Sequence, residues 1–178
     1  MARRIRRIVA ALGALVVALA MTACAGRAGT AATVGPERIT VSQVERTTDA
    51  LTALYGQVPG LASYVLNVKM RAIAAEQVTA AQGVDLRAEA ERELSIQDLP
   101  AGGAEEEAAV REFLVSIQEI ELLEANLAAT SIKTEFANIP VTVNPRYGLS
   151  GLEEMRLDQN RLPVLQNPSL SKPAGDIQ

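Results

Sequence analysis

Apolar positions change their period several times along the chain, and each change marks an element. From Ile8 to about Met21 they form a run broken only by Gly13, behind the head Met-Ala-Arg-Arg-Ile-Arg-Arg. Such a run is short for a bilayer span, which needs about 20 apolar residues, and it suits a secretory signal, with about 7–15 behind a basic head. Thr33-Val34-Gly35-Pro36-Glu37-Arg38-Ile39 reads as a brief extended segment with a Gly-Pro turn at its centre. Thr40 or Ser42 then caps a helix, and Thr40 with Gln43 has capping-box spacing. Val41, Val44, Thr48, Leu51 and Tyr55 repeat at three or four until Gly56 ends the pattern.

A second helix is expected from about Leu61 to Gln82, with Leu61, Tyr64, Val65, Val68, Ala72 and Ala75 on one face. Leu66, Met70 and Ile73 widen that face, and Gly83 fits the left-handed stop position. Asp85 is placed to cap a short, charged helix over Leu86 to about Leu94. After a loop at Leu99-Pro100-Ala101-Gly102-Gly103, the longest helix is expected from about Ala104 to Ala129. Its acidic first turn complements the helix dipole, and Val110, Phe113, Leu114, Ile117, Ile120, Leu123 and Leu127 make its apolar stripe. Alternation then returns at Val141 and Val143 between prolines, a short strand entering a turn.

The apolar run stops at Met21-Thr22-Ala23-Cys24, which resembles a lipobox, the site of bacterial lipoprotein processing. Met21 stands where Leu is usual. The resemblance implies cleavage after Ala23 and a diacylglycerol on Cys24. Cys24 is the only cysteine, so no intramolecular disulfide forms. Two or three acyl chains give stable anchoring at about 0.8 kcal/mol per buried methylene. The expected place is therefore the extracytoplasmic face of a cell membrane.

Composition narrows the chemistry. Residues 1–23 hold four of the 17 basic residues and none of the 21 acidic ones, so their removal leaves a net charge of −8. Such a chain is poorly suited to nucleic acid, where phosphate neutralisation dominates affinity. It contains no His, no Trp and no second Cys. That leaves no Ser–His–Asp triad, no Cys nucleophile beyond the anchor and no ordinary His/Cys zinc site. No nucleotide-binding glycine motif appears. No enzyme activity, cofactor or metal is expected. The runs Glu89, Glu91, Glu93 and Glu105 to Glu107 spread around a helix and read as a solvated face.

Residues 32–44, from Ala-Thr-Val-Gly-Pro-Glu-Arg-Ile through Thr-Val-Ser-Gln-Val, resemble the opening of the SurA-type N-terminal chaperone domain. Asn144-Pro145-Arg146-Tyr147-Gly148 resembles the closing strand of the actinobacterial lipoprotein branch of that family. About 20 residues at the two ends carry the likeness, and the middle agrees as helices of suitable length. Leu149-Ser150-Gly151 departs from the aromatic-plus-Asp that follows in that branch. The chain has no room for a parvulin domain and no His for its active site, so isomerase activity does not carry over.

The expected fold is mainly α: about four helices closed by a small two-stranded sheet, with Val34–Ile39 beside Val141–Asn144 as the resemblance implies. The organisation is a signal peptide over 1–23, a lipidated tether over 24–32, a helical domain over 33–151 and a polar, disordered tail over 152–178. The resemblance implies a chaperone-like holdase that binds unfolded exported polypeptides without nucleotide. Tyr55, Leu61, Tyr64, Met70, Phe113 and Tyr147 are the candidate client contacts, because aromatics and Met adapt to varied partners. Each of them also suits the core. Arg146 and Tyr147 either orient a client backbone or simply build a turn. The alternative function is a scaffolding envelope lipoprotein with one dedicated protein partner.

Overall fold

The Gly35-Pro36 pair splits the first extended segment into two strands, β1 (Thr30–Val34) and β2 (Glu37–Thr40). The computed structural model describes residues 29–94 and 103–152. Cys24, most of the loop at 99–103 and nearly all of the 152–178 tail lie outside the described residues.

Gly35 sits at φ +56, and a Cβ there would meet the Gln77 amide oxygen at 2.7 Å. The positive φ favours glycine, and any side chain there would also push the Gln77 amide aside. The same Gln77 amide donates to the Val34 carbonyl at 3.0 Å, tying the turn to the second helix.

Five α-helices follow among the described residues, and most match the periods read above. Helix α1 (Val41–Tyr55) starts at the capping box: the Thr40 hydroxyl accepts from the Gln43 N–H, and the Gln43 amide oxygen accepts from the Thr40 N–H at 2.7 Å. Thr40 is thus the cap, while Ser42 lies inside the first turn with its hydroxyl 3.1 Å from that of Thr40. Helix α2 (Leu61–Ala80) is closed by Gly83 at φ +76. The Asp85 carboxylate accepts from the Ala88 N–H ahead of α3 (Leu86–Leu94), which buries Leu86, Ala90 and Leu94 at successive i, i+4 positions.

Helix α4 (Ala104–Asn126) differs from its one-stripe reading. Val110, Phe113, Leu114, Ile120 and Leu123 are buried, but so are Ala109, Val115, Ser116, Gln118 and Glu119. Successive residues point about 100° apart around a helix, so burial at Phe113–Ser116 and again at Gln118–Ile120 covers the whole circumference. Helices α1, α2 and α3 all pack on it. Ile117 and Leu127, both on the expected stripe, are only half-buried.

The helix also stops earlier than expected. Leu127 is extended, at φ −125, and a separate helix α5 (Ala129–Ala137) begins two residues later. No Gly or Pro marks the break, and the only sequence sign of α5 is Ile132 and Phe136 at i, i+4, both buried. β3 (Val141–Val143) and the 3-10 turn Pro145–Tyr147 complete the described chain.

The sheet is mainly as expected in position and different in pairing. Among the described residues it has three strands, in the order β2-β1-β3. β3 runs antiparallel to β1, with Ala32 opposite Val143, Thr33 opposite Thr142 and Val34 opposite Val141. The strand before the Gly35 turn, not one crossing it, therefore lies against β3. Ala31 and Ala32, inside the segment expected as tether, are strand residues and fully buried. Alanine has low strand propensity, so nothing local marks them as strand residues. The fold is mainly α with a small antiparallel sheet, as the periodicity implied.

Candidate functional site

The six residues offered as client contacts do not form one surface. Leu61, Met70, Phe113 and Tyr147 are buried, at 3%, 0%, 0% and 5% exposure. All four belong to the hydrophobic core: Leu61 and Met70 lie on α2, Phe113 on α4, and Tyr147 in the turn fastened to α2. Tyr64 is half-buried and meets the Phe113 ring edge-on, with centroids 6.1 Å apart. Tyr55 is half-buried at the end of α1.

The Asn-Pro-Arg-Tyr-Gly segment is a turn. The Asn144 side chain caps it, accepting from the Arg146 N–H. The Tyr147 carbonyl accepts from the Ser63 hydroxyl at 2.7 Å, which fastens the turn to α2. Arg146 lies over the Tyr147 ring at 4.9 Å and pairs with Glu45 of α1 at 2.9 Å. Both side chains are thus engaged within the protein.

An open groove forms elsewhere, where α2, the end of α4, α5 and β3 converge. Its volume is about 990 Å³, in the range of ligand-binding clefts. Leu127, Ile132, Phe136, Ile139 and Val141 give it an apolar lining, Leu152 lies on the wall where the described chain ends, and Lys133 and the Arg71–Glu124 pair add charge. The break between α4 and α5 creates this space: a continuous helix would have carried Ile132 and Phe136 away along the α4 axis. Periodicity flagged Leu127 and Val141, but their convergence depends on that break.

β3 borders the groove and is an edge strand. The Thr33–Thr142 pairing turns the Thr142 peptide groups towards β1 and those of Val141 and Val143 away from it. Among the described residues these outward groups have no backbone partner.

A second polar feature lies between α2, α3 and α4. The Glu119 carboxyl is fully buried, and neither oxygen has a hydrogen-bond partner. The nearest cation is the Arg87 guanidinium at 3.9 Å, which also faces Glu76 at 3.7 Å and Glu91 at 3.1 Å. Burial pushes the Glu119 pKa from 4.5 up to about 8; the adjoining Glu76 carboxyl adds to the rise and Arg87 opposes it. Glu119 lines no part of the groove. Among the described residues no three carboxylates gather as ligands for a metal ion, and no helix is long and apolar enough to cross a membrane.

No family model, curated protein or solved structure matches this chain.

Glu119 links stability to pH. The unfolded chain ionises this carboxyl above 4.5, whereas the folded protein keeps its proton until about 8. Between those values the folded state binds more protons, so stability falls as pH rises. Glu119→Gln removes the titration. Its stability relative to the parent is expected to improve by on the order of 3 kcal/mol from about pH 4 to about pH 8. Urea titrations at the two pH values measure this, and a difference that does not change with pH would refute the assignment.

Proposed function

We propose that this chain is a lipid-anchored protein of the extracytoplasmic membrane face that holds extended, apolar stretches of exported polypeptides. The observation that carries the proposal is the apolar groove running beside a strand edge that has no partner among the described residues. An unfolded segment offers two things to such a site: apolar side chains, and unpaired peptide groups. The groove takes the first, and the outward Val141 and Val143 peptide groups take the second, as in strand addition to a sheet edge.

Backbone hydrogen bonding is indifferent to sequence, so the site suits many clients. A three-residue strand limits the number of bonds. Release therefore needs no nucleotide, which fits a compartment outside the cytoplasm. The likeness of residues 32–44 and 144–148 to the SurA-type chaperone opening and closing segments supports the same reading. The contacts move, however, from the aromatic residues of the core to the lining of this groove.

Anchoring rests on Cys24 behind its basic and apolar leader. Cys24→Ser is expected to shift the protein from the membrane fraction to the soluble or precursor fraction of cells producing it. Unchanged membrane attachment of a processed chain would contradict acylation at this residue.

Holding is tested by light scattering as an aggregation-prone, chemically unfolded client is diluted into residues 25–178 without nucleotide. Suppression is expected to scale with the amount of this protein. Leu127→Asp, at a half-buried groove position, is expected to lose most of the suppression while keeping its helical circular dichroism. No suppression by the folded parent, or full suppression by the Leu127 variant, would overturn the assignment.

A further inference from the structure

Glu119 lies away from the groove, and its surroundings hold a charge imbalance inside the helical body. Its side chain is 1% exposed, and both oxygens lack a hydrogen-bond partner. Among the described residues, the charged groups acting on it are Glu76 of α2 and Arg87 and Glu91 of α3; α1 contributes none. Arg87 is shared: its Nη1 lies 3.7 Å from Glu76 and 3.9 Å from Glu119, while its Nε donates to Glu91 at 3.1 Å. Glu112 also acts on this guanidinium, and pairs with Lys69 at 2.9 Å. One cation thus faces three carboxyl groups held on three helices. An ionised Glu119 adds a third negative charge to a site with one positive charge.

Ionisation of a buried carboxyl is costly unless water reaches it, and water enters where the cover yields most easily. Helix α2 has 20 residues, buries eleven of them and is tied down through Gln77 and Ser63. Helix α3 has nine residues and buries only Leu86, Ala90 and Leu94. That is shorter than the about 12–15 residues below which an isolated helix is marginal. Its polar ties to the body include Arg87 to Glu76, and Glu93, which accepts from the Gln118 amide at 2.6 Å. Its cap, Asp85, bonds to Ala88 of the same helix and travels with it. Residues 80–85, which lead into α3, are exposed without interruption. Gly83 turns the chain there at φ +76, and a Cβ on it would meet nothing within 4 Å. The link has no packing of its own, so α3 can pivot on it while the body holds.

We propose that α3 is a hinged flap over Glu119: it lies closed on α4 while this carboxyl keeps its proton, and swings out on the 80–85 link when the carboxyl ionises, uncovering Leu86, Ala90, Leu94 and the face of α4 beneath them. The flap goes beyond the groove reading and does not depend on it. Its direction follows from proton counting. Closed, the carboxyl holds its proton up to about pH 8; open, in water, it loses it near the ordinary 4.5. Opening therefore releases one proton between those values, and its equilibrium constant rises by up to about tenfold per pH unit. Above about pH 8 both states are ionised and the rise ends.

Amide hydrogen exchange of the full-length chain at about pH 5 and about pH 8, with each rate divided by its intrinsic value, reads the flap. The Ala90, Glu91 and Leu94 amides are expected to lose protection by at least about tenfold between the two. At both they are expected to be less protected than Val65 of α2 and Val115 of α4, because α3 opens without the rest. In Glu119→Gln the α3 amides are expected to keep the same protection at both pH values. Protection of α3 that is unchanged in the parent, or that rises with pH as Arg87 pairs more tightly with Glu119, would overturn the proposal. So would equal protection of α3 and core amides, which marks unfolding of the whole body. A pH dependence that survives in Glu119→Gln would assign the titration to another carboxyl, such as Glu121, whose pKa burial also raises, and would sink the flap as well.

Discussion

Burial of the middle of α4, from Phe113 to Ile120, around its full circumference is the constraint on which the rest of the structure depends. A helix with one apolar stripe needs a single neighbour, but Phe113 to Ile120 leaves only Ile117 even half-exposed. Helices α1, α2 and α3 must all close on it. Closing them also forces polar groups inward. Lys69 is buried against α4 and reaches Glu112 at 2.9 Å, while Glu119 finds only a shared arginine at 3.9 Å. An unpaired buried carboxylate is costly, and a carboxyl that holds its proton to about pH 8 lowers that cost.

The sheet and the turn then close this body. β1 is held on one side by β2 and on the other by β3, and Gln77 and Ser63 join α2 to the β1–β2 turn and to Tyr147. Among the described residues, one sheet edge and the space beside α5 stay open. The groove is where the packing around α4 runs out: α4 ends at Asn126, and the short α5 turns its Ile132 and Phe136 into the gap. The proposed function lives at this boundary between the covered middle of α4 and a strand edge that has no partner among the described residues.

Much of this was legible in the sequence, for reasons that are local. The capping box of Thr40 and Gln43, the Gly83 stop and the Asp85 cap each depend on residues within a few positions of each other, and all are present. The strand at Val141–Val143 follows from alternation between prolines. What escaped depends on distant neighbours. Val115, Ser116 and Glu119 break the stripe of α4, and only the presence of three partners explains their burial. Ala31 and Ala32 look like a tether until β3 is known to lie beside them. The aromatic residues were chosen for adaptability, yet Phe113 and Tyr147 are the large side chains the core consumes. The groove is built from residues on four elements, and its formation turns on an α4–α5 break with no glycine or proline to announce it.

The most direct measurement is where an unfolded polypeptide touches the protein. Backbone amide chemical shifts of residues 25–178, recorded as an unfolded client is titrated in, locate that contact residue by residue. The account predicts changes centred on Leu127, Ile132, Ile139, Val141, Val143 and Leu152, with Tyr55 at the end of α1 unaffected. Changes centred on Tyr55 and Tyr64, with the β3 edge silent, would contradict it.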